Sequence, residues 1–185
     1  MSVQLSVAAR NALLDAIEVE LGASPILKIR TGAVPATCAT ADSGTVLATC
    51  SLPADSMAAA GSGAKAKSGT WEDTSADAAG FARHFRIYKS DGVTCVLQGI
   101  CAQNWAASTA YAVGQQVVNG GLAYVCTTAG TSAASGGPTG TGSGITDGSC
   151  VRDYVGVNDM VLDNTNFSAG QAFSVTTFSL TAPGA

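Results

Sequence analysis

The sequence predicts a mainly β protein, an antiparallel β-sandwich of jelly-roll type with one N-terminal helix and a small inserted β module. A single helical pattern opens the chain, and about seven or eight short strand patterns separated by turn residues follow it. With 22 glycines and only 12% charged residues, the composition also favours short strands and turns. The segment from Trp105 to Tyr154 breaks the surrounding pattern, which resumes near Val157. In 185 residues these features fit one domain that carries a small insertion.

The helix is predicted between Ser6 and Leu21. Apolar residues recur there at helical spacing and are expected to form one buried stripe. Ser6 is suited to cap the amino end, and Gly22 is suited to end the helix. The stripe consists of Val7, Leu13, Leu14, Ile17 and Leu21.

The strands of the host are predicted from alternating apolar and polar residues that are bounded by Gly, Pro and Ser. In chain order they are residues 26–30, 45–52, 69–71, 79–88, 93–99, 159–163 and 171–181. A turn at residues 90–92 joins two of them as a hairpin. In the last strand, alternation places Phe173, Val175 and Thr177 on one face, and Phe178 and Leu180 on the other.

The pattern predicts a host domain of residues 1–100 and 156–185 and an inserted β domain of residues 101–155. Within the insertion, Asn119-Gly120-Gly121 between two apolar segments predicts a tight hairpin turn, in which Asn-Gly is the strongest signal because both central residues need a positive φ. The polar run 130–144 has almost nothing to bury. Since it lies between Cys126 and Cys150, we expect a long loop held at both ends.

The six cysteines lack the paired spacing and the accompanying histidines of a zinc site. The amino end has no basic segment followed by a long apolar one, so we expect no signal peptide and synthesis in the cytoplasm, where thiols stay reduced. Cys101 and Cys150 lie near the two junctions of the insertion, whose ends must approach each other. They are therefore a candidate disulfide that would form late, after release into an oxidising medium.

Catalysis is not expected, because the chain has one histidine, His84, and no acid/base pair that can be named. The carboxylates of Glu72, Asp73 and Asp77 lack the spacing of a calcium loop and favour a solvated acidic loop. The net charge of −4 offers no basic surface for nucleic acid, and no apolar run is long enough to cross a membrane. We therefore expect no catalytic, cofactor-binding or metal site, and no nucleic-acid or membrane partner.

Four aromatic residues make the insertion a better candidate for function: Trp105, Tyr111, Tyr124 and Tyr154. Exposed tryptophan and tyrosine rings stack on sugar faces and anchor protein interfaces. A small module also needs most of its large side chains for its own core. From the residues alone, both roles stay open.

The segment 104–126 resembles the small chitin-binding-type carbohydrate modules. It has their pattern of a tryptophan, Trp105, then Tyr111, Gly114 and Val117, and a second tyrosine, Tyr124, after a turn. Similar modules, followed by a run like that at residues 129–140, are familiar from tail and fibre proteins of tailed phages. This resemblance implies contact with a bacterial-surface glycan through the aromatic residues.

The flanking host is similar to small structural proteins of tailed bacteriophages at residues 2–6, 15–18, 65–71 and 84–88. Proteins of this size that are rich in β-structure and poor in charge resemble head decoration, or cement, proteins, which are jelly-roll subunits that bridge capsomers. The resemblance implies a virion protein, assembled in the host cytoplasm and later extracellular, whose partners are the major capsid protein and itself as a homotrimer. The alternative is a tail or fibre component that binds host-surface glycan through the inserted module.

Overall fold

A computed structural model describes residues 4–183 and contains, in that range, one helix and sixteen strands. The predicted mainly β class with one N-terminal helix is confirmed. The part of the resemblance that falls on Ser2 and Val3 lies outside the described residues. No helix within residues 4–183 combines the length and the hydropathy that a membrane span requires.

Helix α1 (Val7–Leu21) begins and ends where the sequence predicts. The hydroxyl oxygen of Ser6 accepts a hydrogen bond from the backbone N–H of Ala9 at 3.2 Å. Gly22 has a φ of +72°, and its N–H donates to the carbonyl oxygen of Glu18 at 3.0 Å. These contacts satisfy backbone groups that the helix ends leave free.

The predicted apolar stripe of α1 is only partly correct. Leu14 and Leu21 are buried and Ile17 is half-buried, but Val7 and Leu13 are 48% and 52% exposed. The predicted spacing treats every apolar helix residue as inward-facing. In the folded protein the helix rests on the sheet along a narrower line, so Val7 and Leu13 fall outside it.

The strands vary from two to ten residues in length. They are β1 (Ile26–Arg30), β2 (Val46–Ser51), β3 (Ala64–Ala66), β4 (Glu72–Asp73), β5 (Gly80–Phe81), β6 (His84–Tyr88), β7 (Cys95–Asn104), β8 (Ala110–Tyr111), β9 (Gln116–Asn119), β10 (Leu122–Thr128), β11 (Gly130–Thr131), β12 (Ile145–Asp147), β13 (Cys150–Val157), β14 (Met160–Leu162), β15 (Asn166–Phe167) and β16 (Phe173–Thr181).

One large mixed sheet connects most of these strands. Its path runs β12-β13-β10-β9-β7-β14-β16-β3, and β1, β2, β4 and β6 pair off this path. The long strand β7 pairs antiparallel with β6 in its first half and parallel with β9 and β14 in its last residues. The sequence pattern predicts antiparallel pairing, so these two parallel pairs are features that the folded chain adds. They place the insertion and the returning host strand on opposite sides of β7.

Two hydrophobic clusters lie along this sheet. The larger one, in the host, includes Trp71, Phe85 and Phe178, whose rings are in contact. Every member of the smaller cluster comes from residues 105–154. Because the sheet itself runs through both clusters, we keep the division into host and inserted module as a proposal.

Two local registers differ from prediction. The β9–β10 hairpin is present, but Asn119 pairs with Leu122, so the turn residues are Gly120 and Gly121, with φ of +58° and +80°. The predicted turn 119–121 contains both turn residues, but its first residue, Asn119, belongs to β9. In β16 an irregularity opposite β14 shifts the alternation, so that Phe173, Val175 and Phe178 are all buried. The list of residues that share each face was correspondingly wrong.

Candidate functional site

The four aromatic residues predicted as contacts lie in one module, but they do not form one exposed surface. Tyr111 and Tyr124 are buried members of the smaller hydrophobic cluster. Trp105 and Tyr154 are half-buried and pack against it. The core role that sequence left open therefore applies to Tyr111 and Tyr124, whose ring faces are not available to a ligand.

A buried ion pair holds the centre of the module. The side chain of Arg152 donates through Nε to Asp147 Oδ2 at 2.6 Å, and neither side chain is exposed to solvent. The guanidinium of Arg152 lies 4.3 Å from the ring centroid of Tyr111, at cation–π distance. Asp147 also accepts hydrogen bonds from the indole Nε1 of Trp105 at 3.0 Å and from the N–H of Ala133 at 3.0 Å.

These contacts set the charge state of Asp147. Burial by itself raises the pKa of this carboxyl, but hydrogen bonds from Ala133, Arg152 and Trp105 together outweigh burial and lower the pKa below its usual value. Asp147 is therefore charged at neutral pH. Sequence reasoning missed this pair, although the short polar segment between Ile145 and Arg152 carries both charges.

The glycine-rich run is a held loop, as predicted. The hydroxyl of Tyr124 donates to the carbonyl of Gly140 at 3.0 Å, and the amide of Asn119 donates to the carbonyls of Gly136 and Pro138, each at 3.0 Å. The ring of Tyr154 meets that of Tyr124 edge to face at 6.1 Å. Both tyrosines thus stabilise the module by packing.

Trp105 has a different environment, because it borders an open groove between residues 104–121 and residues 158–179. Gly137 passes so close to the indole that a Cβ there would lie 3.1 Å from Trp105 Cδ2, so the loop covers part of the ring. The groove has a volume of about 540 Å³. Its far wall comes from the host strands β14 and β16, through Val161, Thr177 and Ser179.

Polar side chains surround Trp105 in this groove. Asn104 and Asn119 lie on the module side, and Asn158 and Asp159 lie where the chain returns to the host. Asp159 Oδ2 accepts a hydrogen bond from the N–H of Ile100 at 2.9 Å. Burial raises the pKa of this carboxyl, and the hydrogen bond from Ile100 only partly opposes that effect. The groove combines two aromatic residues, Trp105 and the nearly buried Phe178, with amide and carboxyl groups, a set that can hold a polar ligand with an apolar face. Its residues outside the insertion could not be found from sequence, because they meet Trp105 only through the β7–β14 pairing.

All six cysteines are free thiols in this structure. Cys101 belongs to the host cluster, whereas Cys150 belongs to the module cluster together with Cys126. The structure thus places Cys150 beside Cys126 and does not bring it to Cys101.

Other polar candidates have structural surroundings. His84 is buried, its Nδ1 lies 3.2 Å from the carbonyl oxygen of Gly32, and burial lowers its pKa. In the acidic loop, Thr49 donates its N–H to Asp73 at 3.1 Å and its hydroxyl to Asp77 at 2.8 Å. Within residues 4–183, no group of three or more His, Cys, Asp or Glu side chains is placed to hold a metal ion.

Comparison of the chain with models of known protein families, with curated proteins and with solved structures gave no match in any of the three.

Proposed function

We propose that the protein is a structural protein of a tailed-phage virion, a decoration or cement protein that joins subunits of the head. The observation that carries the proposal is an apolar surface on α1 that faces solvent. We call it the outer helix face. It consists of Ala9, Ala12, Leu13, Ala16 and Val19, all of which are exposed.

The outer helix face is a second helical stripe, opposite the one that packs on the sheet. Its members follow the spacing i, i+3, i+4, i+7, so they line up along the helix. Val19 is 81% exposed and Leu13 is 52% exposed. A contiguous apolar patch in contact with water is a common mark of a protein–protein interface.

Polar contacts beside the outer helix face hold the helix in place. The buried ammonium of Lys65, in β3, lies 2.8 Å from the carboxylates of both Asp15 and Glu18. Asp15 also accepts from the N–H of Ala60 at 3.2 Å, and Glu18 accepts from the N–H of Met57 at 3.0 Å. These contacts attach α1 to β3 and to the loop before it, while the outer helix face stays exposed.

A cement protein needs such a surface and needs no chemistry. It stabilises a shell by burying apolar side chains across subunit joints, and binding to the assembled state favours that state by mass action. In this proposal the outer helix face contacts a second copy or the major capsid protein, and the inserted module projects away from the shell.

The test compares the full chain with Val19→Asp and with Val93→Asp. Val93 is 80% exposed in the turn between β6 and β7, so it is a matched control for adding one charge at an exposed valine. We expect wild type and Val93→Asp to sediment as oligomers and to bind heads assembled without this protein. For Val19→Asp we expect affinity to fall by roughly tenfold or more, which corresponds to about 1.4 kcal/mol. A wild-type monomer without affinity for heads would overturn the proposal.

The groove at Trp105 favours a second candidate, a tail or fibre component that binds bacterial-surface glycan. Thr177→Arg places a long side chain in the groove from the host wall and leaves the module core intact. Thr176→Arg is the control, since Thr176 is an exposed neighbour that does not line the groove. Loss of glycan-array binding in Thr177→Arg but not in Thr176→Arg would support this function, and absence of binding by wild type would reject it.

A further inference from the structure

We propose that four of the six cysteines form two oxidisable pairs, Cys38 with Cys95 and Cys126 with Cys150, which become disulfides when the protein meets a disulfide oxidant. The remaining two, Cys50 and Cys101, stay thiols. The pairing does not depend on whether the protein binds phage heads. Mapping of the thiols therefore tests the cysteine pairs alone, and the head-binding assay tests the proposed function alone.

The first pair meets at the buried guanidinium of Arg86. Its Nε donates to Cys95 Sγ at 3.2 Å, and its Nη2 donates to the carbonyl oxygen of Cys38 at 2.6 Å. Arg86 thus brings the backbone of Cys38 and the thiol of Cys95 to one guanidinium group. Cys38 lies in the loop between β1 and β2, which Arg86 holds further through Thr40 O at 3.0 Å. Both cysteines are partly exposed, so a small oxidant can reach them.

The second pair lies in the β10–β13 ladder. Cys126 is the partner of Arg152, and Cys150 precedes Arg152 by two residues on the same strand, so the three side chains share one face. All three are buried there. The register shifts directly after Cys126, and both cysteines belong to the same buried cluster. Cys126 and Cys150 thus occupy the diagonal positions of a bulged antiparallel pair.

Each pair also lies beside a cation that assists thiolate formation. Burial raises the pKa of Cys95 to about 11 and raises the pKa of Cys126, while Arg86 and Arg152 act to lower them. The thiols of Cys95 and Cys126 are therefore protonated at neutral pH, and the adjacent arginine stabilises the small thiolate fraction that reacts.

Cys50 and Cys101 have different neighbours. The charged side chains that shift the pKa of Cys50 are Asp73, Glu72 and Asp77. Those that shift the pKa of Cys101 are Arg83 and Asp159. Among the described residues, no second cysteine contributes to the pKa shift of Cys50 or of Cys101. Both are buried in the host cluster, which makes them the matched controls.

The oxidation balances with glutathione disulfide as the oxidant. The thiolate of one cysteine attacks a glutathione sulfur, which breaks the glutathione S–S bond and releases one glutathione thiolate that takes up a proton. The thiolate of the second cysteine then attacks the mixed disulfide and releases the second glutathione. When each protein disulfide forms, the protein therefore loses two thiol protons and two electrons, which reduce one glutathione disulfide to two glutathione molecules.

The test incubates the reduced full chain with glutathione disulfide, alkylates free thiols under denaturing conditions and maps the bonds by peptide mass spectrometry. We expect bonds 38–95 and 126–150, with Cys50 and Cys101 alkylated. Cys38→Ser and Cys126→Ser should each remove one bond, and Cys50→Ser should leave both. Because the bond at Cys126 closes a loop, oxidation of Cys38→Ser should still raise Tm by roughly 5–10 °C. Alkylation of all six thiols after oxidation, or a bond between Cys101 and Cys150, would overturn the proposal.

Discussion

The buried pair of Asp147 and Arg152 is the most demanding contact within residues 105–154, and Asp147→Ala tests it. Wild-type Asp147 accepts three hydrogen bonds, from Arg152, Trp105 and Ala133. The variant leaves a fully buried guanidinium whose Nη1 and Nη2 already have no hydrogen-bond partner among the described residues. Its remaining compensation is the ring of Tyr111 at 4.3 Å.

We expect Asp147→Ala to lower the free energy of unfolding by about 3–5 kcal/mol, the usual cost of removing one partner of a buried pair. For a chain of this size that corresponds to a Tm lower by roughly 6–20 °C. Urea unfolding followed by circular dichroism and by tryptophan fluorescence measures the loss, since Trp105 contacts the altered site. If the unpaired charge causes the loss, the double variant Asp147→Ala/Arg152→Met should recover most of it.

A pH titration of unfolding supplies an independent check. Because the pKa of Asp147 is lowered in the folded state, its contribution is fully present above the unfolded value of about 3.9 and is lost as the pH falls through the folded value. Asp147→Ala should therefore be nearly as stable as wild type well below that pH and less stable above it. A loss under about 1 kcal/mol at neutral pH would refute the reasoning, because it would mean that Arg152 does not depend on its partner.

Three further predictions concern the rest of the chain. Gly148 and Gly120 both have a left-handed φ, but a Cβ at Gly148 overlaps the backbone of Thr131 and one at Gly120 meets nothing within 4 Å. In urea unfolding we expect Gly120→Ala to cost about 1 kcal/mol, and Gly148→Ala to cost clearly more; equal losses would contradict this. Trp71→Ala should cost about 3–5 kcal/mol in the same assay, since the ring fills the host core, and a smaller loss would mean that the core closes around the gap. Hydrogen bonds from Thr94 and Val93 lower the pKa of Asp91 to about 2, so Asp91→Asn should flatten the fall in stability between about pH 4 and pH 2, and an unchanged slope would count against it.

Helix α1 shows which features of a structure a local sequence pattern can predict. Its cap at Ser6, its end at Gly22 and its bounds all follow from residues that interact within one or two turns. Which side of the helix packs on the sheet does not follow from such local contacts. The helix carries two apolar stripes, and the one with Leu14 and Leu21 is buried because α1 packs on β3 and β7, which lie far along the chain. That choice creates the outer helix face on which the proposed function rests.

The insertion shows the same division. Its hairpin and its held glycine-rich loop follow from the sequence, because turn residues and aromatic spacing act over short distances. The groove at Trp105 and the thiol pairs could not be predicted from the sequence, because their members come from segments far apart in the chain. Sequence alone determined a mainly β chain with one helix and an aromatic module. Tertiary structure decided which aromatic rings are core, which thiols are neighbours and which apolar side chains stay exposed, because each depends on strand pairings that no local pattern specifies.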